Sequence, residues 1–343
     1  MTPCRNILVV RADRMGDVVL TVPSIRALKQ AFPRARVSVW LDASTKPLLD
    51  GLPFIDEILT EDKGRGWRGY LAFIAALRRR KFDLAVIFHT KHRTNGACVL
   101  AGIPARLGYK NAKFGWMLSR PVEDRRHWGE KHEAAYCLDL LRTLGVVSTD
   151  LTLELARDAA AEAWADAFVR EKMQDAPFLL IHADASCATR CWPAASFARL
   201  IDLLAGTGLK IVLVGGREAK ACARDILAMT AQPVMDLTGT TTLARLVSLF
   251  RCARAVVSND SGPVHVAAAV GVPVVSIFLR RQPGINPERW KPLGPLTRIV
   301  LPPSGAEVVV DRRNRIVSGR LDAITPAQVL AALKEIPGVL EAI

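Results

Sequence analysis

SNDSGPVHVAAAVGVPVVSIF, residues 258–278, sets a short polar island between two apolar segments. The island follows the Val-rich run that ends at residue 257, and VPVVSIF (272–278) closes the stretch. Val-rich strands that alternate with helices are typical of a parallel sheet covered on both faces. The stretch therefore predicts a strand, a turn, a helix beginning at Gly262 and a second strand.

The same alternation continues in both directions along the chain. Apolar runs typical of strands cover residues 5–11, 35–41, 56–60, 82–88, 177–183, 209–216, 253–260 and 272–278. Helical patterns between and after them cover residues 16–32, 67–80, 156–174, 195–206, 217–229 and 325–336. This order predicts an α/β protein with mainly parallel sheets.

The pattern restarts after residue 150, which predicts two doubly wound domains. Their expected bounds are residues 1–155 and 176–324, followed by a C-terminal helix within 325–343. A length of 343 residues suits two domains of ordinary size. Ligands of such sheets bind beyond the carboxyl ends of the strands, so we expect a site in a cleft between the two domains.

The charge of the chain is unevenly distributed. Its formal net charge is +14, from 47 basic and 33 acidic residues, and residues 1–150 hold 25 of the basic and 15 of the acidic ones. A basic first half favours an anionic partner such as a nucleic acid, a phosphorylated lipid or an acidic sugar. Solubility alone is the alternative explanation.

Cysteine usage and hydropathy bear on the compartment. The seven cysteines are odd in number and scattered, which does not suggest a disulfide framework and favours a reducing cytoplasm. The apolar run before Arg11 is too short for a signal peptide, and no run approaches the length of a membrane span. We expect a cytoplasmic protein, either soluble or peripheral at a membrane.

The polar island of residues 258–263 would lie at a strand-to-helix turn. Backbone N–H groups of Ser261 and Gly262 at a helix N-terminus suit phosphate oxygens. Asp260 could instead be only a helix cap, and His265 could be an ordinary buried histidine.

A second island, RADRMGDVVLTVPSIRAL (11–28), lies at the first strand-to-helix turn. It carries Arg11, Asp13, Arg14 and Asp17, while the dinucleotide pattern G-x-G-x-x-G is absent. A carboxylate near a helix N-terminus is stabilised in its charged form and can accept a proton from a hydroxyl. Asp17 is therefore a candidate general base, with a helix cap as the alternative.

Two further turns carry polar residues in the second half. TRCWPAASFARL (189–200) could hold Arg190 over a diphosphate, and VGGREAK (214–220) could direct Glu218 to ribose hydroxyls. A surface arginine and an ordinary helix start are the alternatives.

Taken together, the motifs resemble those of the heptosyltransferases of glycosyltransferase family 9. The resemblance spans residues 5–280 and rests on RxDxxGDVVLTVPSIRALK, RxWP, VLVGGxE, LTGTTTLARL and the opening stretch, in that order. It implies a GT-B fold of two Rossmann-like domains, with the acceptor on the N-terminal half and ADP-heptose on the C-terminal half. It also implies inverting transfer without a metal or other cofactor, in the assembly of the lipopolysaccharide inner core.

The resemblance assigns roles to individual residues. Asp17 matches the general base, and the implied donor contacts are Arg190, Glu218, Thr238, Gly239, Asp260, Ser261, Gly262 and His265. Basic residues of the first half supply the predicted contacts to an anionic lipid-linked acceptor, namely Arg11, Arg14, Lys91, Arg93 and Arg120. A solvated basic face is the alternative for the acceptor set.

Two loops depart from the family pattern. IHADASCATRCWP (181–193) lacks the usual glycine, and FLRRQPGINP (278–287) lacks the usual glycine and threonine. Both loops would border the donor, so the donor sugar stays open. Cys187 and Cys191 form a C-x3-C pair near His182 and Asp184, but without a second pair this is poor zinc spacing, and no metal is expected.

Other functions remain open from the sequence alone. They are a family 9 transferase with another donor or acceptor, a GT-B sugar-nucleotide epimerase and a non-catalytic sugar-nucleotide sensor. A nucleic-acid-binding protein is disfavoured because aromatic residues make up only 6% of the chain and are not interleaved with the basic ones.

Overall fold

A computed structural model describes residues 4–111 and 113–340. The chain forms two compact units that divide between Ala156 and Arg157. The helical segment at 157–175 belongs to the second unit, which begins earlier than the predicted domain at 176. In the described part of the chain, no helix combines the length and the apolar character required to cross a membrane.

The first unit is built on one six-stranded parallel sheet. Its strands are β1 (Asn6–Val10), β2 (Arg36–Leu41), β3 (Glu57–Thr60), β4 (Leu84–Ile87), β5 (Ala105–Lys110) and β6 (Arg120–Glu123). Its helices are α1 (Met15–Ala31), α2 (Gly66–Arg79), α3 (His92–Leu100) and α4 (Glu133–Leu141). The strand order is β3-β2-β1-β4-β5-β6. The central strand β1 is wholly apolar after its first residue because helices cover both faces of the sheet.

The second unit repeats this architecture. Its sheet strands are β7 (Phe178–His182), β8 (Lys210–Leu213), β9 (Val234–Asp236), β10 (Ala255–Asn259), β11 (Val274–Ile277) and β12 (Thr297–Val300). A short antiparallel hairpin adds β13 (Val309–Val310) and β14 (Ile316–Ser318). The sheet order is β12-β11-β10-β7-β8-β9, and all its pairings are parallel.

Helices flank this second sheet. They are α5 (Ala159–Phe168), α6 (Ala194–Leu203), α7 (Lys220–Met229), α8 (Leu243–Cys252), α9 (Gly262–Ala269), α10 (Pro287–Trp290) and α11 (Pro326–Lys334). A π-helical turn continues α5 over Val169–Met173. Short 3-10 turns cover Ala43–Leu48, Lys63–Arg65, Gly115–Met117, Arg126–Trp128, Arg142–Leu144, Ala188–Arg190 and Arg217–Ala219. The predicted α/β alternation is confirmed.

The C-terminal helix is part of the second unit. Thr325 caps α11 by accepting a hydrogen bond from the Gln328 backbone N–H, while the Gln328 side chain accepts one from the Thr325 backbone N–H. The buried side chains of Val329 and Leu333 belong to the same hydrophobic core as Ile201 of α6. Burial of this face fixes the helix on its sheet.

Candidate active site

Each sheet has one point at which the winding of the chain reverses. This point lies between β1 and β4 in the first sheet and between β7 and β10 in the second. Ligands of open α/β sheets bind beyond the carboxyl ends of the strands at such a point. Residues 11–17 follow β1, and residues 260–262 follow β10. The two polar islands of the sequence therefore occupy the two reversal points.

Arg11 is the centre of the first cluster. Its buried guanidinium donates from Nη2 to Asp17 Oδ1 at 2.6 Å and to Glu133 Oε1 at 3.2 Å. Its Nη1 donates to the Phe88 carbonyl at 2.8 Å, and Nε lies 3.3 Å from Asp13 Oδ1. One cation thus holds three carboxylates, two from the adjoining turn and one from α4.

The three carboxylates differ in their environment. Burial raises the pKa of Asp13 to about 6 in spite of the opposing charge of Arg11. Glu133 is 1% exposed, whereas the Asp17 side chain is 20% exposed. Asp17 is therefore the carboxylate of this cluster that a ligand reaches most easily.

Asp17 is not the N-cap of its helix. The helix α1 begins at Met15, its N-cap is Arg14, and the N-cap side chain makes no capping hydrogen bond. The Asp17 carboxylate instead accepts its hydrogen bond from Arg11. Asp17 is therefore not the cap of α1, and a neighbouring guanidinium holds its carboxylate in place.

His89 lies beside Asp13 at the end of β4. Its Nε2 is 2.8 Å from Thr94 Oγ1, and its Nδ1 is 4.0 Å from Asp13 Oδ2. Burial, assisted by the nearby charges of Arg11, Lys91 and Arg126, holds the pKa of His89 well below its usual range. The imidazole is consequently neutral at physiological pH.

Of the predicted acceptor residues, Arg11 is the centre of this cluster and Lys91 lies near it, whereas Arg120 begins β6 and therefore lies toward the opposite edge of the sheet. Arg14, Lys91 and Arg120 are exposed, and Lys91 Nζ approaches the Ala12 carbonyl at 3.5 Å. Arg93 pairs with Glu61, and its guanidinium lies 4.1 Å from the centre of the Tyr70 ring.

Arg126 belongs to the buried interior of the first unit. It is one of the 25 basic residues of the first half, but it is 8% exposed and donates to the Phe88 carbonyl and to Asp124. The basic face of the first unit is therefore smaller than the number of its cations indicates.

Four of the predicted donor residues, together with Arg280, which was not predicted, follow successive strands of the second sheet. Across the sheet, the loops after β11, β10, β7, β8 and β9 carry Arg280, Asp260, Arg190, Glu218 and Thr238 in that order. Because the carboxyl ends of parallel strands share one edge, these residues line one side of the sheet.

Asp260 lies between two arginines. Its Oδ2 is 3.5 Å from Arg280 Nη2 and 3.8 Å from Arg190 Nη1. Burial raises the pKa of Asp260 against the opposing effect of both arginines. Within the described residues, the buried Nε of Arg190 and the buried Nε of Arg280 have no hydrogen-bond partner. Buried donors of this kind are available to an acceptor atom of a ligand, and two of them on guanidinium groups suit an oxyanion.

Ser261, and not Asp260, is the N-cap of α9. The Ser261 hydroxyl lies 3.1 Å from the Ser258 hydroxyl and 3.4 Å from Nδ1 of His182. His265 is buried on α9. The contact with His182, the last residue of β7, thus helps to hold the start of α9 in place.

Burial lowers the pKa of His182 to about 4. In the unfolded chain, His182 takes up a proton at pH values below its ordinary pKa of 6.5, whereas in the folded chain it does so only near pH 4. The folded state therefore loses stability as the pH falls from about 6.5 to about 4. We expect His182 to contribute about 3 kcal/mol to the fall in the free energy of unfolding over this range, and His182→Asn to remove this contribution while that of His89 remains. Urea unfolding of the full chain at several pH values measures it. His127→Asn, at an exposed site, serves as control, and equal pH slopes for His182→Asn and the native chain would contradict the assignment.

Glycines shape the part of the edge beyond β8 and β9. Gly239 adopts a positive φ of 69°, and a Cβ there would lie 2.8 Å from Cε of Lys220. A Cβ on Gly216 would lie 2.5 Å from Oε2 of Glu218. The absence of a side chain on Gly216 leaves room for the Glu218 carboxylate. Thr238, which precedes Gly239 in the chain, is buried, and its hydroxyl has no hydrogen-bond partner among the described residues.

Cys187 and Cys191 are both free thiols in the loop after β7. Although burial opposes it, hydrogen bonds from Thr189 and Asn314 lower the pKa of Cys187. Within residues 4–111 and 113–340, no group of three or more His, Cys, Asp or Glu side chains is arranged to hold a metal ion.

Sequence reasoning missed three residues of these clusters. Glu133 approaches Arg11 from 122 positions away, and Arg280 reaches Asp260 from the loop whose departure from the family pattern was noted. Asn259 joins two loops, since its Oδ1 accepts from the Trp192 backbone N–H and its Nδ2 donates to the Ala183 carbonyl. The sequence offered one signal that could have identified Arg280, namely its place directly after the apolar run that ends at Leu279.

A sequence model of glycosyltransferase family 9 (heptosyltransferase) matches residues 70–316. The chain belongs to this family. It is therefore a glycosyltransferase, and the epimerase, sensor and nucleic-acid-binding alternatives are set aside.

Curated relatives of this family member are similar over most of their length. Lipopolysaccharide heptosyltransferase 2 of Escherichia coli K12 is 27% identical over 96% of this chain and 97% of its own. Lipopolysaccharide heptosyltransferase 3 of the same strain is 29% identical over 77% of this chain and 79% of its own.

Solved structures agree with the fold. A family 9 glycosyl transferase from Veillonella parvula superposes with a TM-score of 0.83 at 22% identity over 97% of both chains. The E. coli ADP-heptose lipopolysaccharide heptosyltransferase II gives 0.76 at 24% identity, over 96% of this chain and 97% of its own. The predicted GT-B fold is confirmed.

Proposed function

We propose that this family 9 transferase moves a heptose from ADP-heptose to an anionic, lipid-linked acceptor of the lipopolysaccharide inner core. Acceptor binding is assigned to the first unit and donor binding to the second. The observation that carries the proposal is the pair of buried guanidinium Nε donors, on Arg190 and Arg280, that have no partner among the described residues. The names of the curated relatives support the choice of sugar and of acceptor class.

The donor diphosphate would bind at the reversal point of the second sheet. Its oxygens would accept hydrogen bonds from Arg190 and Arg280 and from backbone N–H groups at Ser261 and Gly262, where the helix α9 begins. Asp260 holds the two guanidinium groups in place, and buried His265 supports the helix that carries these donors.

The nucleoside of the donor would extend along the sheet edge toward β9. Glu218 is assigned to the ribose hydroxyls because a carboxylate accepts hydrogen bonds from a pair of them. Thr238 and Gly239 line the same side of the sheet, and the buried Thr238 hydroxyl is available as a donor or an acceptor. The residues assigned to the donor thus come from the loops after β11, β10, β7, β8 and β9, which are neighbours in the sheet.

Transfer would proceed as one inverting displacement. An acceptor hydroxyl oxygen attacks the anomeric carbon, and its proton passes to the Asp17 carboxylate. The bond from the anomeric carbon to the diphosphate oxygen breaks, and its electron pair leaves with ADP. Arg190 and Arg280 stabilise the negative charge that develops on the leaving group.

Arg11 is assigned a positioning role, because its guanidinium is buried and already holds Asp17 and Glu133. Exposed Arg14 and Lys91 are assigned to acceptor phosphates or carboxylates, together with half-buried Arg93. Arg120 is not included, because it begins β6 and lies toward the opposite edge of the sheet from Asp17. Such an acceptor would bring the enzyme to the cytoplasmic face of the inner membrane as a peripheral protein.

The direct test is to incubate the full chain with ADP-heptose and purified, truncated inner-core acceptors and to read the products by mass spectrometry. Addition of one heptose mass to one acceptor is the expected result. Transfer from another sugar nucleotide, with ADP-heptose inactive, would replace the donor assignment while leaving the enzyme class intact.

A chelator should leave this transfer rate unchanged. The leaving-group role is assigned to guanidinium and backbone N–H donors, so no divalent ion is required to neutralise the diphosphate. Rates in the presence and absence of EDTA measure the effect. Loss of activity that a divalent cation restores would contradict this assignment.

A further inference from the structure

Three tryptophans of the first unit are exposed to solvent. Their side chains are 68% (Trp67), 75% (Trp116) and 42% (Trp128) exposed. The other four tryptophans, Trp40, Trp164, Trp192 and Trp290, are buried or half-buried. Large exposed aromatic side chains mark interaction surfaces, because burying such a side chain removes a large apolar area from water and is strongly favourable.

The three exposed rings lie at one edge of the first sheet. Trp67 is the second residue of α2, which follows β3 and therefore starts at the carboxyl edge. Trp116 follows Gly115, whose Cβ position is 3.0 Å from Cγ of Lys110, the last residue of β5. Trp128 closes the turn that follows β6. This is also the edge that carries Asp17.

Contacts between the loops make this edge continuous. The Tyr70 hydroxyl of α2 donates to the Arg93 carbonyl of α3 at 2.7 Å. The ring centres of His92 and Phe114 are 5.3 Å apart, which joins the start of α3 to the loop of Trp116. The turn of Trp128 is tied to the end of β4 by the bond from Arg126 to the Phe88 carbonyl.

Cations surround the three rings. The guanidinium of Arg68 lies 5.5 Å from the centre of the Trp67 ring, and that of Arg125 lies 5.3 Å from the centre of the Trp128 ring. The exposed basic residues of these loops include Lys63, Arg65, Arg68, Lys91, Lys110, Lys113 and Arg125, and the exposed acids are Asp62, Glu123 and Glu130. We call the three tryptophans and these seven cations the tryptophan rim.

We propose that the tryptophan rim docks on the surface of an anionic lipid bilayer. Tryptophan is enriched at membrane–water interfaces, where its ring lies at the level of the headgroups, and each nearby Lys or Arg is attracted to anionic lipid. The rings are separate side chains on three loops, interspersed with cations, whereas a protein interface has a contiguous apolar core with few charges. The excess of basic residues complements an anionic surface.

This docking rests on the proposed function and extends it, because it would bring the edge that carries Asp17 to the membrane surface at which a lipid-linked acceptor lies. It does not require the acceptor itself. Vesicle binding without any acceptor tests the rim, and sugar transfer in detergent tests the function, so the two proposals fail separately.

The experiment is sedimentation of the full chain with vesicles of phosphatidylcholine alone and of phosphatidylcholine mixed with phosphatidylglycerol. We expect binding to the mixed vesicles. The variant Trp67→Ser/Trp116→Ser/Trp128→Ser should lower the partition coefficient at least about tenfold. Arg68→Ser/Lys113→Ser should lower it about twentyfold or more, since each cation contributes about a fivefold factor. All five side chains are exposed, so the variants should fold, and circular dichroism verifies this.

A hairpin of the second unit supplies matched controls. Arg312→Ser/Arg313→Ser removes the same charge, and Ile316→Ser/Val317→Ser removes exposed apolar side chains. Both controls should bind the mixed vesicles like the native chain. A second measurement is quenching of tryptophan fluorescence by brominated lipid, which should be seen with the native chain and be lost in the triple tryptophan variant.

Several results would overturn the proposal. They are native-like vesicle binding by both rim variants, loss of binding in the hairpin controls instead, and no binding to anionic vesicles at low salt. Dimerisation of the native chain that the tryptophan substitutions abolish, without vesicle binding, would reassign the rim to a contact between copies. Equally tight binding of a single-stranded oligonucleotide through the same rings would reassign it to nucleic acid.

Discussion

Asp17→Asn is expected to lower the turnover number at least about a hundredfold, the usual contribution of a general base. The asparagine side chain has the same shape, and its Oδ1 can still accept the hydrogen bond from Arg11 Nη2 that Asp17 accepts at 2.6 Å. The amide cannot take up the proton of the acceptor hydroxyl. Steady-state kinetics with ADP-heptose and a truncated acceptor measure turnover, and calorimetry with ADP should give an unchanged affinity.

Asp158→Asn is the matched control for this prediction. Asp158 is also an aspartate at the start of a helix, where its Oδ1 accepts a hydrogen bond from the Ala161 backbone N–H at 2.9 Å. Asparagine caps helices as well as aspartate does, so the control should be folded and fully active. Native-like turnover by Asp17→Asn would mean that Asp17 only holds Arg11, and Asp13 would become the candidate base.

The fold could be predicted where strands are buried on both faces. The strand β1 has four consecutive apolar residues and β10 has three, and such runs between helical patterns indicate a central parallel strand. The strand β6, with the sequence RPVE, is mostly exposed at the edge of its sheet and has no such run. The helix α3 (HRTNGACVL) has little apolar periodicity, so it could not be predicted either.

The candidate site was predictable only as far as chain order carries information. Asp17, Arg190 and Asp260 each follow a predicted strand, and the carboxyl edge of a parallel sheet brings such residues to one side. Some of their neighbours could not be predicted in this way, because Glu133 reaches Arg11 from 122 positions away and Arg280 reaches Asp260 from the loop after β11. Burial of Arg126 likewise depends on tertiary contacts, so a count of cations overestimated the basic face.

Arg280→Gln is expected to lower kcat/KM for ADP-heptose about a hundredfold or more, the typical loss when one preorganised donor to a developing anion is removed. The Nη2 of Arg280 is 3.5 Å from Asp260 Oδ2, and its buried Nε has no partner among the described residues. Glutamine cannot neutralise the leaving diphosphate, and it leaves Asp260 with Arg190 as its remaining cation. Initial rates and the affinity for ADP measure the loss, and both should decrease.

Arg281→Gln supplies the comparison at the neighbouring position. Its guanidinium Nε lies 3.6 Å from Glu307 Oε1, and its side chain is 42% exposed, so its loss should leave kcat/KM near the native value.

A second comparison separates donor binding from simple neutralisation of a buried acid. If Arg280 acts only by balancing Asp260, then Asp260→Asn combined with Arg280→Gln should restore both the stability and kcat/KM of the native enzyme. If Arg280 contacts the diphosphate, the double variant should recover stability alone and stay about a hundredfold slow. Full recovery of kcat/KM would therefore remove Arg280 from the donor site and leave Arg190 as the guanidinium assigned to the leaving group.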